Sequence, residues 1–187
     1  MLTITIPDKY DTFLETYSKK LTLNGKSNLS KEKLAEYSRE WFQVVGLCGE
    51  VALHIYHHGT ADHLPKIIDA KYEEYLKTGL GDAGQDDVIE IEGRTVNIDI
   101  KTSHIKDEKQ IRSLNLIVSE NEYHPAQIYV SGFLVGEQDS KNKKVILAGW
   151  AFSDQVIKQR WRVDKTKYAV PVRQLQDMMK LERYVRQ

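Results

Sequence analysis

Apolar residues recur at spacings of three and four across the first third of the chain. Leu34, Tyr37, Trp41, Val44, Val45, Cys48, Val51, Ala52 and Ile55 mark one long helix over about residues 31–56. Its second half is apolar nearly all round, which predicts burial. Gly46 and Gly49 would weaken that helix unless something packs closely against them. Ser30 reads as a partial N-cap, with Lys33 where a capping box would have Glu, and Gly59 as the stop. The same spacing predicts a helix over 8–20 (Tyr10, Phe13, Leu14, Tyr17) and another over 62–78 (Leu64, Ile67, Ile68, Tyr72, Tyr75, Leu76). Shorter helices are expected at 154–160 and 173–185, the latter opened by Pro171-Val172. Alternation predicts an edge strand over 2–6 ended by Pro7, and strands over 114–118, 127–135 and 144–152.

The most structured pattern is Gly84–Ser103. Two β-branched runs, 88–91 and 94–100, flank Glu92-Gly93, and glycine supplies the positive φ of a two-residue turn. With Ile91 opposite Arg94, Ile89 faces Val96 and Asp86 faces Asp99. Period-two alternation then gathers Ile89, Ile91, Val96, Ile98 and Ile100 on a core face. Val88, Glu90, Asp86, Asn97, Asp99 and Lys101 take the other face. A register shifted by one would oppose Asp87 to Asp99, but it sets Ile89 against Asn97 and scatters the apolar residues.

Two opposed carboxylates repel unless a cation lies between them, and oxygen ligands suit a hard ion such as Mg²⁺ or Mn²⁺. Lys101 stands two residues after Asp99, on the same face. A metal, an ammonium and two carboxylates meet the needs of phosphodiester hydrolysis: activated water and neutralised charge. Glu50, an acid inside the buried helix, needs a partner or a metal.

Asp86 followed by Asp99-Ile100-Lys101 on the next strand resembles the PD-(D/E)xK nuclease superfamily, over roughly residues 31–150. Glu50, in Gly46-Leu47-Cys48-Gly49-Glu50-Val51-Ala52, matches the glutamate that family usually has on the helix before the hairpin. The resemblance implies a restriction-endonuclease-like α/β fold, a central mixed sheet flanked by helices. It implies a Mg²⁺-dependent DNA endonuclease, with Mn²⁺ as substitute. Asp86, Asp99 and the Ile100 carbonyl would bind the metal, Lys101 would position water, and Glu50 would complete the site. The chain departs from the family at the "PD" position, which reads Gln85-Asp86 or Asp86-Asp87 without proline, leaving either aspartate as the first ligand. Restriction or phage and mobile-element endonucleases are the nearest roles, with junction or repair nucleases behind them. A nuclease-like fold that binds nucleic acid without cutting is the alternative.

At 187 residues, with 41% hydrophobic and 29% charged residues, the chain is expected to fold as one domain with a sizeable core. The single cysteine, Cys48, excludes an internal disulfide and fits the cytoplasm. No apolar run approaches a membrane span, and the N-terminus lacks a signal-peptide pattern. Net charge is zero, but residues 1–100 carry −6 and residues 101–187 carry +6. A basic half beside an acidic metal-binding half suits a DNA hydrolase. One active site cuts one strand, so a double-strand break would take a homodimer.

Four further features are weaker. His54, His57, His58 and His63 have the spacing of a zinc pair, but the expected role is a helix C-terminus whose dipole attracts imidazoles, with Asp62 a weak fourth ligand. The glycines of 79–84 match no P-loop. Arg160, Trp161, Arg162, Lys165, Lys167 and Tyr168 mix cations with aromatics in the manner of a phosphate-gripping patch, though a solvated turn is favoured. Thr102 and Ser103 are candidate donors to DNA phosphates.

Overall fold

The structure, a computed structural model, describes residues 1–24, 37–78, 86–91, 93–120, 126–138, 140–160 and 164–185. A five-stranded mixed sheet is its centre. In chain order its strands are β1 (Leu2–Thr5), β2 (Asp87–Ile91), β3 (Arg94–Ile105), β5 (Ile128–Val135) and β6 (Lys144–Phe152). The spatial order is β1-β6-β5-β3-β2. β3 and β5 run parallel and the other neighbours antiparallel. β4 (Asn115–Ser119) and β7 (Lys167–Pro171) form a separate antiparallel ribbon.

Helices α1 (Asp11–Asn24) and α2 (Arg39–His58) cover one face, α3 (Leu64–Thr78) follows α2, and α5 (Met178–Val185) closes the chain. The main core joins Leu14, Val45, Cys48, Val51 and Ala52 of the helices to Ile98, Ile100, Val130, Leu147 and Trp150 of the sheet. On the opposite face, Tyr129 and Ala151 pack under Leu116, Val118 and Val170 of the ribbon and Val156 of the short helix α4 (Ser153–Ile157). The protein is therefore mixed α/β, with a central mixed sheet between helices on one face and a ribbon plus a short helix on the other.

Helix boundaries shift by a few residues throughout, and two of the shifts change which residues cap the helices. α2 begins at Arg39, and its cap is Ser38, whose hydroxyl accepts the Trp41 N–H at 3.1 Å. The predicted cap Ser30 and residues 31–36 lie outside the described residues. Gly59 ends the helix at φ 74°, a left-handed conformation that costs glycine nothing. At the other end, Pro171 closes β7 and caps a single 3-10 turn, Val172–Gln174, so the last α-helix begins only at Met178. After that turn Leu175 is extended, and Gln176 exchanges backbone hydrogen bonds with Trp150 (2.8 and 3.0 Å) before Asp177 caps Met179. Leu76, expected in the buried stripe of α3, is 62% exposed, and the buried residues among that helix's described side chains are Leu64 and Ile68, in its first turns. No helix among the described residues is long and apolar enough to cross a membrane.

Gly49 fixes the distance between helix and sheet. A Cβ there would lie 1.8 Å from Thr102 Oγ1, so α2 crosses β3 at closest approach at this residue. Gly46 meets nothing within 4 Å; it borders an open cleft instead.

Candidate functional site

The hairpin has the register the apolar alternation requires. Asp87 pairs with Ile98, Ile89 with Val96 and Ile91 with Arg94, and Gly93 takes φ 72° in the turn. The ladder stops at Asp87. Asp86 sits at a bend just before it, its N–H donating to the Ile98 carbonyl at 2.9 Å. Its carboxylate accepts the Ile100 N–H at 2.8 Å, taking the place of a backbone acceptor in the next rung. The Asp86 carboxylate thus lies against the peptide that joins Asp99 to Ile100.

Asp99 is 1% exposed and ion-pairs with Lys101 Nζ at 2.9 Å. Lys101 retains some solvent exposure. A second ammonium, Lys71 of α3, is 3.9 Å from Asp86 Oδ1. Nothing in the sequence distinguished it, because its approach depends on how α3 packs. Glu50 is half-buried on α2, next to Gly49, which meets Thr102 of β3. The fold brings Asp86, Asp99, Ile100 and Lys101 to one end of the hairpin and sets Glu50 on the helix that crosses that strand. The donor set is all hard oxygen, two carboxylates at one peptide, which fits Mg²⁺ or Mn²⁺.

Past Ile98 no described strand pairs with β3 on its β2 side. That edge opens on a cleft of about 650 Å³ lined by Tyr37, Phe42, Gly46, Ser103, Lys106 and Gln110. Ser103 is exposed and can donate to an anion there. Thr102 cannot do the same, a correction to its expected role, because its hydroxyl is buried against Gly49 and Gly132.

The two neighbouring aspartates have separate duties. Asp87 is on the core face with Ile89, 6% exposed, and turns to the end of α2. His57 Nδ1 is 2.6 Å from its Oδ2 and His58 Nε2 is 3.0 Å from its Oδ1. Burial raises the Asp87 pKa, but the hydrogen bond from His57 and the other imidazoles outweigh it and hold the group at about 2. His54 Nε2 is 2.8 Å from the Asp86 carbonyl and must donate to it, so Nδ1 carries the lone pair; that atom is 2.8 Å from His63 Nε2. Burial pushes His54 toward its neutral form. The four histidines therefore do more than decorate a helix end. The acid that joins His54, His57 and His58 is Asp87, which sequence spacing could not find, since it arrives from β2. Asp62 instead binds Lys9 at 2.7 Å and Tyr10 at 2.9 Å.

The basic–aromatic patch is occupied locally. Arg160 pairs with Glu120 at 2.7 Å, bonds the Lys165 carbonyl and lies over the Tyr168 ring, while Lys167 pairs with Asp164 at 3.0 Å. Trp161 and Arg162 lie outside the described residues, as do residues 79–84.

Comparison with protein-family models, with curated proteins and with solved structures gives no match.

Proposed function

We propose that this chain is a Mg²⁺-dependent DNA endonuclease of the PD-(D/E)xK type, with a restriction-endonuclease-like core. The observation that carries the reading is the Asp86 carboxylate bonded to the Ile100 N–H, beside Asp99 and its Lys101 ion pair. Two carboxylates and an ammonium on the open edge of a central strand are the groups that hydrolysis of a phosphodiester needs.

Asp86, Asp99 and the Ile100 carbonyl would hold the ion, which when bound supplies charge neutralisation and a more acidic water. Lys101, partly exposed beside Asp99, hydrogen-bonds and orients the attacking water and offsets charge on the phosphorane oxygens. Lys71 adds a second positive charge on the Asp86 side. Glu50 is the remaining carboxylate, on α2. The cleft along β3 would take the sugar–phosphate chain, with Ser103 and Lys106 as phosphate partners and Tyr37 and Phe42 as apolar surface. Cutting both strands of a duplex would require two copies of the chain.

The test is incubation of supercoiled plasmid with the protein and Mg²⁺, with an EDTA control. Wild type should nick or linearise the plasmid. Lys101→Ala and Asp99→Asn should each lose at least about 100-fold in rate, the scale of removing one electrostatic group from a hydrolytic site. Wild-type rates in both variants would reject the site.

A further inference from the structure

We infer that the end of α2, the connection to α3 and the start of β2 together form a zinc site with His54, His58, His63 and Asp87 as ligands. This inference is independent of the nuclease reading and concerns the side of the hairpin away from Lys101. The candidate donor atoms are His54 Nδ1, His58 Nε2, His63 Nε2 and Asp87 Oδ1. His54, His58 and His63 each offer a ring nitrogen within 4.8 Å of the others, and His58 also belongs with His57 and Asp87 to a second such group. His54 Nδ1 is 2.8 Å from His63 Nε2, and Asp87 Oδ1 is 3.0 Å from His58 Nε2 and 3.9 Å from His54 Nδ1. Zinc–nitrogen bonds of 2.0–2.1 Å put neighbouring ligands of a tetrahedron about 3.3 Å apart, so these spacings straddle the required value.

Three features favour a metal over a plain hydrogen-bond cluster. The Asp87 side chain is 4% exposed, and its ion-pair partners among the described residues are all imidazoles. A buried carboxylate without a permanent cation is costly, and a divalent ion would remove that cost. Second, the outer contacts are those a ligated site uses. The Asp86 carbonyl takes the His54 Nε2–H and so aims Nδ1 inward, and His57 Nδ1–H holds the second Asp87 oxygen. Third, His57 Nε2 is itself buried without a hydrogen-bond partner among the described residues, so His57 is kept here for its Nδ1 contact. Imidazole donors select zinc over Mg²⁺, and four protein ligands close the site, which makes it structural. It would tie helix, loop and strand together and fix the backbone from which the Asp86 carboxylate projects.

The test uses the full-length chain, treated with EDTA, desalted and titrated with Co²⁺. One equivalent should bind with the intense visible bands of tetrahedral cobalt, and one equivalent of Zn²⁺ should displace it. His63→Ala, at a half-exposed loop position, should lose those bands. His57→Ala should keep tetrahedral geometry with affinity lowered about 10- to 100-fold. Circular dichroism of both variants confirms folding, and His58→Ala serves if either fails. Asp99→Asn should bind Co²⁺ as wild type does. No tetrahedral spectrum from the wild type, or a spectrum that survives His63→Ala and His58→Ala, would overturn the inference. So would loss of the spectrum in Asp99→Asn, which would assign the ion to the other site.

Discussion

At the scale of single residues, two adjacent aspartates do opposite things because a strand alternates. Asp87 enters the core with Ile89, and Asp86 turns to the Asp99–Ile100 peptide. Alternation put Ile89 and Ile98 on one face, but the missing proline at the "PD" position left the sequence open between Asp86 and Asp87 as the first ligand. Its bond to the Ile100 N–H was not, since the ladder breaks at a bend that no residue type announces. Cys48 shows a residue whose chemistry is set by its surroundings. It is fully buried, and desolvation pushes its thiol up to about 12. At pH 8 a disulfide reagent should react with Cys48 far more slowly in the native protein than in urea, where its pKa returns to about 8.5. Equal rates would mean that α2 opens readily.

At the scale of elements, α2 is governed by two glycines with different surroundings. Gly49→Ala drives a Cβ into Thr102 and should cost at least the roughly 1–3 kcal/mol of core overpacking. Gly46→Ala meets open space and should stabilise by roughly 0.5–1 kcal/mol, the helix preference of alanine. Thermal melts of the two variants should therefore move in opposite directions. Pattern predicted that a close neighbour would explain these glycines; only the fold could say which one had it. α1 is pinned to α3 through Asp69, which accepts Tyr17 Oη at 2.7 Å and Lys20 Nζ at 2.5 Å. Burial and that carboxylate raise the Tyr17 pKa to about 12, above the value near 10 of an unfolded tyrosine. A raised pKa stabilises the fold fully below pH 10, and the contribution disappears as pH rises toward 12. Urea midpoints should fall over that range in wild type, and less steeply in Tyr17→Phe.

For the whole molecule, the hairpin and the three long helical patterns were legible because one apolar face per element decides them. The β4–β7 ribbon was not, because its pairing spans the chain from Asn115 to Pro171 and has no local turn to mark it. Nor do the acidic and basic halves of the sequence become halves of the structure. β1 pairs with β6, β3 with β5, and Lys143 of the basic half binds Asp11 of the acidic half at 2.8 Å. Charge complementarity therefore rests on local arrangement, as in the pair of Asp99 and Lys101. In the protein without metal, Lys101 neutralises the buried Asp99 from 2.9 Å. If Mg²⁺ binds there, it stabilises the folded state alone, by about 2.7 kcal/mol at 100 times its dissociation constant. For a chain of this size that is a rise of roughly 5–10 °C in melting temperature. Asp99→Asn should abolish the rise. Lys101→Ala should keep it or enlarge it, because the competing ammonium is gone, while cleavage is lost. That split would separate holding the ion from orienting the water; a variant that lost both together would make Lys101 part of the ion's own cradle.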